Sequence, residues 1–259
     1  MQDKKTADAS PDEPLDLLFS PDALPAEVFG AYSGATKVFI EYVAPTAVHI
    51  QQTFAAEEST LLWSSAVLLA QLWASKDDIL PTVVRGTRVL ELGAGLGLNA
   101  IGLAAAGATV TATEIEPALT ALRESVARNR ACWEGTGSID CVELQWGVEP
   151  LPLDGGPFDC VVVADCIYSR PLRPLLLHTL QQVCTDGTVV VFAAEARGDE
   201  EIFVAEVAHA LGARADRRYG PDDRTVEIFV LSPLIDVHDE ATEPLRLLDL
   251  PDELVVQVA

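Results

Sequence analysis

Basic residues are scarce in this chain of 259 residues, where 17 lysines and arginines face 40 aspartates and glutamates. The formal net charge of −23 repels phosphates, which argues against a nucleic-acid partner. The opening sequence, MQDKKTADAS, lacks the apolar stretch of a secretory signal. The uncharged run over 92–113 is long enough to span a membrane, but five glycines interrupt it. We therefore expect a buried loop and helix there, and no membrane partner.

Cysteine and histidine patterns that would indicate a disulfide framework or a metal site are also missing. The five cysteines are an odd number and show no CxxC spacing. The four histidines are scattered, with no HxH or HxxxH pair. These absences predict reduced thiols in a cytosolic protein and no bound metal.

The composition that remains is typical of a globular protein, with 49% hydrophobic and 22% charged residues. The polar, acidic start predicts a disordered tail over residues 1–14 and an N-terminal extension over 15–60. The main domain is expected over 61–233, followed by an acidic tail over 234–259.

Alternating strand and helix patterns predict an α/β fold with a doubly wound, seven-stranded, mostly parallel, Rossmann-like sheet. Strands are predicted at 88–92, 109–113, 142–146, 160–165, 189–195, 213–219 and 225–231. Helices are predicted at 97–106, 117–129, 171–184 and 199–211, the last with Asp199 as N-cap and Gly212 as its stop. The last two strands leave no room for a crossover helix and should form an antiparallel hairpin. Before the domain, two strands over 36–54 and a helix within 61–75 are expected.

A glycine-rich loop, ELGAGLG over 91–97, follows the first of the seven strands and precedes a helix. In an open α/β sheet this is the edge where ligands bind. The GxGxG spacing differs from the GxGxxG of dinucleotide sites. Glu91 lies two residues before Gly93, where a carboxylate disfavours a pyrophosphate and favours a cationic ligand such as S-adenosylmethionine. In the alternative interpretation Glu91 bonds amides of the loop, and both roles can coexist.

Two further residues lie at the ends of predicted strands. Glu114 comes 19 residues after Gly95, where an acid can bind a ribose diol of NAD or S-adenosylmethionine. In the alternative interpretation, Glu114 is an acid in the first turn of the next helix, where the helix dipole favours a negative charge. Trp146 could pack on an adenine ring, or it could be a core aromatic.

Five segments together resemble the class I, seven-β-strand methyltransferases, and more narrowly the methyltransferase-like-21 (methyltransferase family 16) protein-lysine methyltransferases. The segments are Trp63-Ser64-Ser65-Ala66, ELGAGLGL at 91–98, VTATE at 110–114, LQWG at 144–147 and Ala164-Asp165-Cys166-Ile167-Tyr168. The resemblance covers about residues 47–232. The chain departs from the group in having Glu114 for the usual Asp and Ser64 for the usual Pro or Asp after the tryptophan.

The resemblance implies a cofactor, S-adenosylmethionine, and a set of residues that contact it. This set is Trp63, Gly93, Ala94, Gly95, Glu114, Trp146 and Ala164. It also implies that Asp165 and Tyr168 lie where the cofactor meets the substrate amine. The ADxxY segment differs from the Asn-Pro-Pro-Tyr of enzymes that methylate adenine, cytosine or glutamine amides.

The sequence therefore predicts methyl transfer to a lysine ε-amine of a protein substrate. Asp165 is expected to capture and aim the ammonium group, with the proton leaving to water, unless it only caps the next helix. Tyr168 is expected to bond the amine or wall its channel, unless it packs under that helix. Three other functions remain open: methylation of a small amine such as nicotinamide, cofactor binding without turnover, and NAD-dependent dehydrogenation. We expect a monomer in the cytoplasm, with the nucleus also accessible.

Overall fold

The computed structural model describes residues 37–44, 46–53, 61–75, 80–83, 85–148, 153, 156–219 and 226–233. The tails predicted over 1–14 and 234–259 lie outside the described residues, as does much of the extension predicted over 15–60.

Nine strands occur in the described part of the chain, seven of them in one sheet. The strands are β1 (Lys37–Ala44), β2 (Thr46–Thr53), β3 (Arg88–Leu92), β4 (Thr109–Glu114), β5 (Ser138–Glu143), β6 (Cys160–Ala164), β7 (Val189–Glu195), β8 (Ala213–Tyr219) and β9 (Val226–Pro233). The large sheet has the order β5-β4-β3-β6-β7-β9-β8. Its first five strands are parallel, whereas β9 runs antiparallel to both of its neighbours. The predicted fold class is thereby confirmed, including the antiparallel pair at the end.

The central strands are buried on both faces, as their near-continuous apolar sequences predict. Successive side chains of a strand point to opposite faces of the sheet. Accordingly, Val162 of β6 packs in one apolar cluster and its neighbour Val161 in another. Helices cover both clusters, so the edge at which the parallel strands end is fixed from two sides.

Six α-helices lie in the described residues. They are α1 (Ser64–Ser75), α2 (Leu98–Ala105), α3 (Ala118–Arg128), α4 (Arg130–Trp133), α5 (Arg173–Val183) and α6 (Glu200–Leu211). A 3-10 turn over Arg170–Leu172 leads into α5. Residues of α1, α2 and α3 contribute to one apolar cluster, and residues of α5 and α6 to the other. Within the described residues, no helix has the length and apolar character needed to cross a membrane.

The predicted ends of the last helix are half right. Gly212 has a φ of 60° and ends α6 in the left-handed conformation, as expected of a stop glycine. Asp199 lies at the N-cap position, but its side chain makes no capping bond and instead pairs with Arg170 and Arg173. Glu200, the first residue of the helix, holds the preceding loop instead, since its Oε2 accepts hydrogen bonds from the amides of residues 197–199.

The third predicted strand is wrong in its position. We expected it over 142–146, but β5 covers Ser138–Glu143 and pairs with β4 in a register that joins Thr109 to Ser138. The strand lies at the edge of the sheet and is half-exposed, so its sequence lacks the apolar run that identifies the central strands. Trp146 consequently lies in the loop after the strand.

The two strands predicted before the domain are confirmed as an antiparallel hairpin of β1 and β2. Asn129 attaches this hairpin to the end of α3, because its side chain pairs with the backbone of His49. Asn129 Oδ1 accepts a bond of 2.7 Å from the His49 amide, and Asn129 Nδ2 donates one of 2.9 Å to the His49 carbonyl. Val48 and Ile50 of β2 are buried in the cluster formed by α1, α2 and α3.

Candidate active site

The glycine loop connects β3 to α2 at the edge where the parallel strands end. Gly93 has a φ of 66°, which favours glycine over other residues. A Cβ atom at this position would lie 2.7 Å from Sγ of Cys166 and 3.3 Å from the Trp146 ring. Residue 93 therefore has no room for a side chain, because Cys166 and Trp146 pack closely against the loop.

Glu114 ends β4 beside this loop. Its Oε1 accepts a hydrogen bond of 3.0 Å from the Gly95 amide, and its Oε2 accepts one of 3.1 Å from the Ile115 amide. Burial raises the pKa of Glu114, and the two amide bonds oppose this rise. The carboxylate thus holds the loop while it faces the cleft.

Glu91 lies beneath the loop and is only 2% exposed. Its Oε1 accepts a hydrogen bond of 3.2 Å from the Asn99 side chain. Burial raises the pKa of Glu91 to about 8, and hydrogen bonds from Asn99 and the Ala100 amide oppose this rise. Both of these partners lie in α2, whereas the alternative prediction placed them among the amides of the loop.

Asp165 follows directly after β6 and has the unusual φ of 52°. Its Oδ2 accepts a hydrogen bond from the Ser65 hydroxyl, and its Oδ1 accepts one of 3.2 Å from the Glu195 amide. Burial is the main cause that raises the pKa of Asp165, while these hydrogen bonds and Arg197 lower it. A positive φ in a residue other than glycine is backbone strain of the kind that collects at functional sites.

One cleft with a volume of about 1090 Å³ joins these features. Eight of the ten predicted site residues line it: Trp63, Gly93, Gly95, Glu114, Trp146, Ala164, Asp165 and Tyr168. Glu91 and Ala94 are not among its lining residues. The Ala94 amide instead donates a hydrogen bond of 2.9 Å to the Thr113 carbonyl, which fastens the loop to β4.

The charge of the cleft is strongly one-sided. Four acidic residues line it, namely Glu114, Glu116, Glu143 and Asp165. Arg197 is the only basic residue among the lining residues that the structure describes. A cleft of this charge favours a cationic ligand and disfavours phosphate groups.

Three residues that we did not predict join the site beside Asp165. Ser65 is fully buried and bonds the carboxylate, whereas Glu195 ends β7 and Arg197 lies two residues after that strand. Arg197 Nη1 lies 3.8 Å from Asp165 Oδ1, and Arg197 Nη2 lies 3.2 Å from Glu195 Oε2. Glu195 ends the strand next to β6, so the rule that ligands bind at the carboxyl ends of strands could have identified it.

The aromatic and apolar residues of the cleft come from several elements, with Trp63 before α1, Ile115 after β4, Trp146 after β5, Tyr168 after β6 and Leu175 in α5. Tyr168 is 51% exposed at the cleft, and Ile115 and Leu175 are also exposed there. Among the described residues, no group of three or more His, Cys, Asp or Glu side chains could hold a metal ion.

Comparisons with known proteins agree with this geometry. The solved structure of the T. thermophilus 16S rRNA N2 G1207 methyltransferase (RsmC), in complex with AdoMet and guanosine, is similar with a TM-score of 0.57 and 15% identity. The match covers 76% of this chain and 50% of that one, and at this identity it shows the fold alone.

Curated relatives are closer in sequence. The chain is 34% identical over 151 residues to protein N-lysine methyltransferase METTL21A of Danio rerio. This match covers 58% of this chain and 66% of that protein. It is 31% identical over 138 residues to EEF1A lysine methyltransferase 3 of Mus musculus, and this second match covers 53% of this chain and 56% of that protein. The chain thus spans less than two thirds of each of these relatives. The model of a family described as lysine methyltransferase matches residues 43–209, and the chain therefore belongs to the lysine methyltransferase family.

Proposed function

We propose that this chain is an S-adenosylmethionine-dependent methyltransferase that modifies a lysine ε-amine of a protein substrate. The observation that carries the proposal is the position of Asp165, held at the edge of an acidic cleft by Ser65 and the Glu195 amide. Membership of the lysine methyltransferase family and the names of the two curated relatives support the same reaction.

The cleft fits the predicted cofactor. Gly93 and Gly95 bring the loop backbone to the wall of the cleft, and Glu114 presents a carboxylate beside Gly95 where a ribose diol could bind. Trp146 offers an aromatic face next to Gly93 that suits a purine. Trp63 and Ala164 would border the methionine part, near Asp165. When bound, S-adenosylmethionine would supply a methyl group on a sulfonium, an electrophile that a neutral amine can attack.

The remaining chemistry concerns the substrate amine. A free lysine has a pKa of about 10.4, so its deprotonation near neutral pH costs about 4 kcal/mol. Asp165 would bind the incoming ammonium and aim it into the cleft, and Tyr168 would wall the channel at its exposed end. The proton would leave to water. Alignment of the neutral nitrogen would supply the rest of the rate gain.

We further propose a cytoplasmic monomer that acts on proteins rather than on nucleic acids or membranes. Five free cysteines support a reducing compartment, because such thiols would be at risk of pairing elsewhere. The excess of carboxylates around the cleft supports a cationic protein segment as the acceptor.

The experiment that tests the function is incubation of a cell extract with labelled S-adenosylmethionine, read by mass spectrometry. Wild type should label lysines of one or a few proteins, and Asp165→Ala should label none while it still binds S-adenosylhomocysteine. Asp140→Ala is the matched control, since Asp140 is exposed on β5 and does not line the cleft. Label found only in small molecules such as nicotinamide would refute a protein substrate, and binding of NAD in place of S-adenosylhomocysteine would refute the cofactor.

A further inference from the structure

Arg197 occupies a special place in the cleft, because it is the only basic residue lining an otherwise acidic site in the described chain. Its guanidinium lies between two carboxylates, 3.2 Å from Glu195 and 3.8 Å from Asp165. The shorter contact is a hydrogen bond to Glu195, whereas the longer one to Asp165 is an ion pair without a hydrogen bond. Another cation can therefore replace Arg197 at Asp165 while Arg197 stays hydrogen-bonded to Glu195.

The groups around this guanidinium are held firmly by their own contacts. Ser64 donates a hydrogen bond of 3.0 Å to Glu195 Oε1, and Ser65 anchors Asp165. The Arg197 amide donates a bond of 2.9 Å to Glu200, which is only 1% exposed. The side chains of Arg197 and Glu195 are 36% and 35% exposed, whereas that of Asp165 is 6% exposed, so the Arg197–Glu195 pair lies on the open side of the cluster.

The charged groups that face Arg197 come from three elements. They are Asp165 after β6, Glu195 at the end of β7 and Glu200 at the start of α6. Ser64 and Ser65 of α1 are neutral. The nearby Arg170 and Arg173 are paired with Asp199.

A carboxylate alone creates a difficulty for amine methylation. Asp165 binds the ammonium form of lysine, and an opposite charge at close range stabilises this unreactive form. A fixed positive charge beside the carboxylate has the reverse effect and lowers the pKa of the bound amine. The cleft holds such a charge in Arg197.

We propose that Arg197 is a positioning residue that shares Asp165 with the substrate amine and thereby promotes loss of the amine proton. The incoming ammonium takes the place of the guanidinium at Asp165 Oδ1, and Arg197 stays bonded to Glu195 a short distance away. Arg197 thus weakens the hold of Asp165 on the charged amine. This inference rests on the proposed function.

The first test measures binding and needs no substrate protein. The probe is n-butylammonium, titrated at pH 7 into enzyme saturated with S-adenosylhomocysteine and followed by NMR. Arg197→Met should bind it about tenfold more tightly than wild type, which corresponds to one pKa unit of coupling. Arg197→Lys keeps the charge and should bind like wild type, whereas Glu195→Gln should bind more weakly. Arg170→Met is the matched control, because that side chain is 79% exposed and pairs with Asp199.

The second test is the pH profile of kcat with the protein that wild type labels in the extract. In Arg197→Met the acid limb should move to higher pH by about one unit, because the bound amine keeps its proton longer. Arg197→Lys should restore the wild-type limb.

Two results would overturn the inference: binding of n-butylammonium by Arg197→Met that is no tighter than in wild type, or a kcat lowered by the same factor at every pH. If wild type methylates no protein, the proposed function fails, and the binding comparison still decides the effect of Arg197.

Discussion

The Ser65 hydroxyl donates a hydrogen bond to Asp165 although the two residues are 100 positions apart in the chain. Ser65 belongs to the first turn of α1, and Asp165 follows the central strand β6. The helix that precedes the sheet in sequence therefore fixes the acidic group on which the proposed chemistry depends. Both side chains are buried, so the bond is shielded from water.

We expect Ser65→Ala to weaken the fold and the activity together. Asp165 would lose one of its partners in a buried position, which should lower the free energy of unfolding by about 1–3 kcal/mol. A less firmly held carboxylate should also reduce kcat/KM about tenfold. Urea unfolding and methylation kinetics measure the two effects. Ser138→Ala, at an exposed position at the start of β5, should change neither. Wild-type kinetics in Ser65→Ala would show that this bond does not orient Asp165.

Gly93→Ala should impair cofactor binding more than it impairs the fold. The added Cβ would meet Cys166 at 2.7 Å and would face a φ of 66°, for which an L-residue pays about 1–2 kcal/mol. We expect the affinity for S-adenosylhomocysteine, measured by calorimetry, to fall at least about tenfold, because the loop must shift.

Two further variants separate the causes of the Gly93→Ala effect. Cys166→Ala in the same chain should restore part of the affinity by removing the sulfur contact, but not the part that is due to φ. Gly102→Ala is the matched control, since Gly102 lies inside α2 with no atom within 4 Å of an added Cβ. It should stabilise the protein by up to about 1 kcal/mol. Unchanged affinity in Gly93→Ala would contradict the role given to this loop.

The raised pKa of Glu91 predicts that the folded protein loses stability as the pH rises. Its pKa is raised from 4.5 to about 8 in the folded chain, so between these values the folded state binds more protons than the unfolded state. The contribution of Glu91 to stability is therefore complete below about pH 4.5 and declines as the pH rises to about 8.

Glu91→Gln should remove this decline, because the amide stays neutral like the protonated acid. The difference in unfolding free energy between variant and wild type should grow in favour of the variant, by up to about 1.4 kcal/mol per pH unit in this range. Urea unfolding at several pH values measures it, with the exposed Glu124→Gln as control. A difference that stays constant with pH would mean that Glu91 is ionised in the folded chain.

Much of the fold was predictable because the central strands can be recognised from their apolar sequences alone. The sequences of β3, β6 and β7 are near-continuous apolar runs, as expected of strands that are buried on both faces. The short connection between the last two strands likewise excluded a crossover. The edge strand β5 was misplaced, since half-exposed residues give no such run and its register is set by pairing with β4.

The site was predictable where residues follow a strand, and less so where tertiary contacts decide. Seven of the eight expected residues that line the cleft end or follow parallel strands, whose ends meet at one edge of the sheet. Trp63 is the exception, because it precedes α1. The contact of Ser65 with Asp165 could not be foreseen, because no local pattern reports how α1 packs on the sheet. Asp199 also followed a plausible capping rule, but two arginines from the α5 region attract its carboxylate more strongly.

The left-handed backbone at Asp165 limits which residues can stand there. Aspartate and asparagine tolerate this conformation better than bulky or β-branched side chains do. Asparagine would fit the main chain at this turn, but its NH2 group would face one of the two donors that bond Asp165, the Ser65 hydroxyl or the Glu195 amide. The backbone conformation alone thus leaves two candidates for residue 165, and the pair of donors around its side chain selects the one with two acceptor oxygens.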